Sequence, residues 1–117
     1  MNQWQSLPKV ELHLHLDCSL SFNAVRQLAP AVTPEVYARD FVAPAKCANL
    51  ADYLARPPRS VALLQTEHAL WLSVNDLMDQ LVRDGVPYAE IRFAPLLHTA
   101  AGLAVEQVVR IVEHETG

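Results

Sequence analysis

The sequence lacks the features that mark several large protein classes. No apolar run approaches the ~20 residues needed to cross a bilayer as a helix. The opening Met-Asn-Gln-Trp-Gln-Ser has neither the basic start nor the apolar stretch of a secretory signal. Those two absences predict a cytoplasmic protein with no membrane partner. Cysteine is scarce: Cys18 and Cys47 are the only two, and they form no C-x-x-C pattern. Two free thiols in a reducing compartment are expected, not a disulfide framework. Positive charge is also thin, with nine Lys and Arg against thirteen Asp and Glu, a net charge of −4. Scattered basic residues of that number argue against a nucleic-acid partner. There is no internal repeat and no low-complexity segment. What remains is 51% hydrophobic and 19% charged over 117 residues, the profile of one soluble globular domain.

Along the chain, the hydrophobic pattern switches between two periods. Lys9-Val-Glu-Leu-His-Leu-His-Leu16 alternates strictly, as a strand does. Val10, Leu12, Leu14 and Leu16 fall on one face; Glu11, His13, His15 and Asp17 fall on the other. Ser19 or Ser21 is placed to cap a short helix running to about Leu28. Thr33 followed by Pro34 signals a second helix start. The Ala- and Pro-rich stretch from Pro44 to Pro58 reads as a loop with one short helix near Leu50 to Ala55. Ser60 then opens the longest helix, to about Asp84, with Leu63, Leu70, Val74, Leu77 and Leu81 on its apolar stripe. Leu64, Trp71, Met78 and Val82 widen that stripe, and Trp71 is expected in the core. Gly85 suits the left-handed position after a helix end. A second strand, Val86 to Ala94, places Tyr88, Glu90 and Arg92 on one face and Ala89, Ile91 and Phe93 on the other. A loop from Leu96 to Gly102 leads to a last helix, Val105 to His114.

Strand, helices, strand, helix is the opening of an alternating α/β fold with a parallel sheet. Two strands do not make such a sheet stable alone, so residues 1–117 read as an incomplete domain. They amount to about a third of a (β/α)8 barrel of ~250 residues or more, truncated after about two strands.

Four ionisable side chains at i, i+2, i+4 and i+6 call for an explanation. An antiparallel strand with one wet face would show the same alternation. The β/α order favours the other reading, because strands in such units are covered on both faces. A covered face carrying Glu11, His13, His15 and Asp17 is costly unless the groups are paired or bind a metal. Residues two apart on a strand project the same way, so His13 and His15 can reach one ion. A bare His-x-His is a weak motif, and it accepts iron, cobalt or nickel as well as zinc.

The longer string Leu7-Pro-Lys-Val-Glu-Leu-His-Leu-His-Leu-Asp17 closely resembles the opening of the adenosine deaminase family, within the metal-dependent amidohydrolases. Asp84-Gly-Val-Pro-Tyr-Ala-Glu-Ile-Arg-Phe-Ala-Pro95 resembles the segment that ends the family's second barrel strand. The spacing and the helical insert between the two also match. The resemblance implies a (β/α)8 barrel with one zinc ion and hydrolytic deamination of adenosine or a related aminopurine nucleoside. It implies that His13 and His15 are zinc ligands and that Asp17 contacts the ribose. Leu50, Tyr53 and Leu54 fall where the family places apolar residues over the purine. A third histidine ligand, an aspartate ligand, a general-acid glutamate and a second catalytic histidine are implied on later strands. No catalytic residue is therefore assigned within the 117 residues, and the segment alone is expected to be inactive. Family members commonly have Gly where this chain has Cys18, which puts the shape of the pocket beside Asp17 in question.

Other residues take plainer readings. Glu90 and Arg92 are read as a structural ion pair, with Glu11 as a further partner. His98 is read as a solvated loop residue, His68 and His114 as surface helix residues. Two other functions stay open: an amidohydrolase acting on a cyclic amide or a different aminopurine, and an inactive fragment with an interaction role.

Overall fold

The computed structural model describes residues 3–117. Strand β1, Val10–His15, runs parallel to β2, Tyr88–Arg92, and between them come helices α1, Phe22–Leu28, α2, Pro34–Asp40, α3, Leu50–Tyr53, α4, Pro57–Leu63, and α5, Glu67–Arg83. Helix α6, Val105–Thr116, follows β2. Parallel pairing across a helical crossover is the α/β arrangement expected from the alternation of periods. Short 3-10 turns at Leu16–Cys18 and Pro95–His98 end the two strands on the same side of the sheet.

The helix starts follow their side-chain caps. Ser21 Oγ accepts from Ala24 N, Thr33 Oγ1 from Val36 N and Asn49 Oδ1 from Asp52 N. Each satisfies an amide that has no partner within its own helix. The anticipated single helix from Ser60 to Asp84 is instead two. Helix α4 starts at Pro57 and ends at Leu63; α5 starts at Glu67. Thr66 is extended, and its Oγ1 accepts from Ala69 N at 3.1 Å. A threonine cap is at its best at a helix start, and Glu67 in the first turn favours that start electrostatically. At the far end Gly85 takes φ +70, as anticipated, and Val86 N donates to Leu81 O at 2.9 Å to close α5.

Leu70, Val74, Leu77 and Leu81 of α5 are all buried and join two apolar clusters. One gathers Leu20, Val25, Leu64 and Val108; the other gathers Leu16 and Val112; Phe93 packs against both. Trp71 is not core. It is 45% exposed on the outer side of α5, its ring stacked at 5.9 Å on His68 one turn earlier. Val82, 76% exposed, also lies off the buried stripe.

The first strand departs from strict alternation. Its pairing slips between Glu11 and Leu14, an irregularity that breaks the two-residue period. Glu11 and Leu14 consequently line one groove with Leu77 and Gln80, while Val10 and Leu12 remain exposed. Glu11 thus does not stand in line with His15. On β2 the anticipated faces hold: Ala89, Ile91 and Phe93 pack inward and Tyr88, Glu90 and Arg92 are exposed. Glu90 accepts from Tyr88 Oη at 3.1 Å, and among the described residues neither Glu90 nor Arg92 forms an ion pair.

A polar clamp fixes the turn after β1. Asp76 of α5 accepts from Ser21 N at 3.0 Å and from Ser21 Oγ, and Gln80 Nε2 donates to Ser19 O at 2.8 Å. The end of β1 is therefore held by α5 as well as by β2. Among the described residues, no helix is long and apolar enough to cross a membrane.

Candidate metal and substrate site

The two strand ends open into a cleft of about 510 Å³, within the size range of small-molecule sites. His15, Asp17 and Cys18 from the end of β1, and Arg92, Phe93 and Ala94 from the end of β2, form its base. Phe41, Tyr53, Leu54 and Arg56 form its walls. An ion pair of 3.2 Å between Asp40 and Arg59 joins α2 to α4 and holds that wall together.

His13 and His15 converge. Their Nε2 atoms are 3.1 Å apart, and the rings are tilted at 58°. Zinc takes imidazole nitrogen at about 2.0–2.1 Å, so two such bonds at a tetrahedral angle put the nitrogens about 3.3 Å apart. The observed spacing fits two neighbouring ligands of one ion. It also serves a ring-to-ring hydrogen bond, one Nε2 donating to the other. Among the described residues no group of three or more His, Cys, Asp or Glu side chains could hold a metal. Two imidazoles alone would be half of a tetrahedral donor set.

Asp17 follows in the 3-10 turn and is only 6% exposed. Burial acts to raise its carboxyl. The contact with His98, the charge on that ring, a backbone bond from Ala94 and the charge of His15 together outweigh burial and hold it below the usual carboxylate range. Asp17 is therefore an ionised acceptor at the cleft base. Cys18 is pushed the other way. Cys18 stays exposed at the cleft, but partial desolvation and the neighbouring Asp17 carboxylate raise its thiol to about 11, so at neutral pH it is a protonated donor 3.7 Å from Asp17 Oδ1. Both cysteines are free, as anticipated.

Of the apolar residues singled out on the loop, Tyr53 and Leu54 line the cleft. Leu50 is 70% exposed and is not part of its wall. His13 stands beside His15, outside the lining.

The residue that sequence reasoning missed is His98. It is fully buried rather than solvated. Pro95 starts a 3-10 turn that folds the chain back under the strand ends and carries His98 inward. Its Nδ1 lies 2.8 Å from Leu64 O, and its Nε2 lies 3.5 Å from Asp17 Oδ2. Nothing local in Pro-Leu-Leu-His signals that burial, because both partners lie far away along the chain. His68 and His114 are exposed on the helices, as anticipated.

A parallel β-α-β unit with paired imidazoles and a buried carboxylate at the carboxyl ends of its strands is an α/β arrangement whose polar side chains gather where such folds bind ligands. Comparison with known proteins narrows the class. A family model described as adenosine deaminase matches residues 8–116, and the chain belongs to that family. It is similar to an adenosine deaminase of Enterococcus faecalis, 40% identical over 92% of this chain and 34% of that protein. An adenosine deaminase of Lacticaseibacillus casei is 41% identical over 91% of this chain and 33% of its own length. One from Haemophilus ducreyi is 41% identical over 86% of this chain and 31% of its own. The chain spans about a third of the length of the curated relatives it matches.

Proposed function

We propose that these residues supply the first two strands of a (β/α)8 barrel. In this reading the barrel hydrolyses adenosine, or a related aminopurine nucleoside, to the 6-oxo product and ammonia. The observation that carries the proposal is the 3.1 Å convergence of His13 and His15 Nε2 beside a buried Asp17 at the base of a cleft.

The roles follow from chemistry. His13 and His15 would hold one zinc ion, with further ligands outside the 117 residues. The chemistry zinc supplies in such a site is activation of water at neutral pH. Asp17, as an acceptor-only carboxylate, is suited to a sugar hydroxyl. Tyr53 and Leu54 cover the flat face of a purine and exclude water from it. Cys18 keeps its proton and offers a weak donor beside Asp17 where a glycine would leave space. The stoichiometry balances as nucleoside plus water giving the 6-oxo nucleoside plus ammonia. A general acid and the remaining metal ligands are needed to complete the reaction, so the 117 residues alone are expected to show no turnover.

The test is metal analysis and ammonia release on the complete protein, with His13→Ala and His15→Ala together and singly. The expected result is about one zinc per wild-type active site, loss of bound metal in the double variant, and loss of deamination in parallel. Unchanged metal content and activity in the double variant would overturn the proposal.

A further inference from the structure

His98 makes one contact that holding its own turn in place does not require. Two latches tie the turn after β2 to the α4–α5 junction. Gln65 forms the first: its Nε2 donates to Leu97 O at 2.8 Å and its Oε1 accepts from Ala100 N at 3.0 Å. His98 Nδ1 forms the second, donating to Leu64 O at 2.8 Å. A carbonyl oxygen only accepts, so Nδ1 carries a proton. The junction is thus already secured, yet His98 presents a second nitrogen. That Nε2 is completely buried and has no hydrogen-bond partner; the group it faces is Asp17 Oδ2, at 3.5 Å. At that distance the contact is a loose ion pair when Nε2 also carries a proton, not a formed hydrogen bond.

A buried polar nitrogen without a partner costs stability, so its presence calls for an explanation such as service to a site. Here it points at the carboxylate that forms part of the cleft base. The other Asp17 oxygen faces Cys18 Sγ. Phe93 packs against the imidazole, its ring centroid 6.2 Å from that of His98, while also lining the cleft. The Asp17 carboxylate is therefore oriented from behind by the imidazole.

We propose that His98 is a positioning residue for Asp17, setting the angle at which that carboxylate meets the substrate's sugar. The inference rests on the reading of Asp17 as the sugar-contacting group. It makes His98 a determinant of sugar discrimination, reached from the end of β2, rather than a group that touches the substrate.

Two substitutions separate the two ring nitrogens. His98→Asn keeps a donor near the Nδ1 position and can retain the Leu64 bond. His98→Gln keeps one near Nε2 and can retain the Asp17 contact. On the complete, metal-loaded protein, kcat/KM is measured for adenosine and for its 2′-, 3′- and 5′-deoxy analogues. Asp17→Asn marks which hydroxyl the carboxylate reads, because discrimination against that analogue collapses. His98→Asn is expected to narrow the same discrimination by about tenfold, the order seen when a group supporting a site residue is removed. His98→Gln is expected to restore most of it. Gln65→Leu cuts the other latch; it should lower the melting temperature and change all four substrates by one factor. Wild-type discrimination in His98→Asn, or an equal loss on all four substrates in both His98 variants, overturns the role of His98 while leaving Asp17's intact. If Asp17→Asn itself leaves every ratio unchanged, the sugar reading of Asp17 fails and this inference fails with it. Should His98→Asn not fold, His98→Leu, which lacks both ring nitrogens, takes its place: a narrowed ratio there that His98→Gln restores supports the role, and wild-type ratios or a uniform loss refute it.

Discussion

Leu16 joins the core to the site, and shortening it should damage both. It is 1% exposed, sits between His15 and Asp17, and packs with Val74, Leu77 and Leu81 of α5 and Val112 of α6. Leu16→Ala removes three heavy atoms from a space bounded by a strand and two separate helices. Those elements are fixed by the Asp76–Ser21 clamp and by strand pairing, so the space collapses poorly. Buried Leu→Ala changes cost about 2–5 kcal/mol, and poor collapse places this one near 3–4 kcal/mol. With a urea slope of about 3 kcal/mol/M, the unfolding midpoint of the complete protein should fall by about 1 M. Leu16→Met conserves volume and should cost under about 1.5 kcal/mol. Val82→Ala, on the exposed side of α5, should stay within about 0.5 kcal/mol of wild type. Metal content should fall with stability in Leu16→Ala and hold in Leu16→Met, because only the former frees the backbone that carries His15. A Leu16→Ala midpoint no lower than that of Val82→Ala would refute this account of how the strand end is held.

Two further outcomes follow from the same geometry. Alkylation of Cys18 should be slow at pH 8 and keep accelerating as pH rises toward 11, since its raised thiol value keeps the reactive thiolate rare at lower pH; a rate already at its plateau by pH 9, read by mass spectrometry of the Cys18 peptide, would contradict the partial desolvation and the Asp17 contact. Gly85→Ala should cost about 1–2 kcal/mol from the left-handed backbone alone. The new Cβ would also stand 3.0 Å from Gln5 O, so Gly85→Asn, which tolerates that backbone, should recover only part of the loss in a denaturant titration.

The features legible in the sequence are those whose cause lies within a few residues. The caps at Ser21 and Thr33, the left-handed Gly85, and the α5 stripe of Leu70, Val74, Leu77 and Leu81 all follow from local chemistry. So does the His13–His15 pair, because a strand sends residues two apart the same way. The break at Thr66 was obscured by its neighbours: Leu63 and Leu64 continue the apolar pattern straight across it, and periodicity outvoted a single capping hydroxyl. Trp71 shows a similar limit. Its size suggested burial, but the width of the buried stripe depends on which helix packs against α5, and α6 leaves that side partly open. In β1 the slip between Glu11 and Leu14 depends on β2, some eighty residues on, and no alternation count registers it.

His98 marks the boundary most sharply. A lone histidine three residues past a proline, in a connecting loop, has the local signature of a surface group. Its burial is decided by Leu64 and Asp17, which reach it only after β1 and β2 have paired and α4 has stopped at Leu63. The helix break that periodicity concealed and the histidine that loop composition concealed therefore have one origin. The chain leaves helical geometry at Leu64, and in doing so turns a carbonyl toward the ring that stands behind the site carboxylate. Had α4 and α5 been continuous, that carbonyl would have been spent within the helix, and the imidazole would have had no fixed point from which to face Asp17.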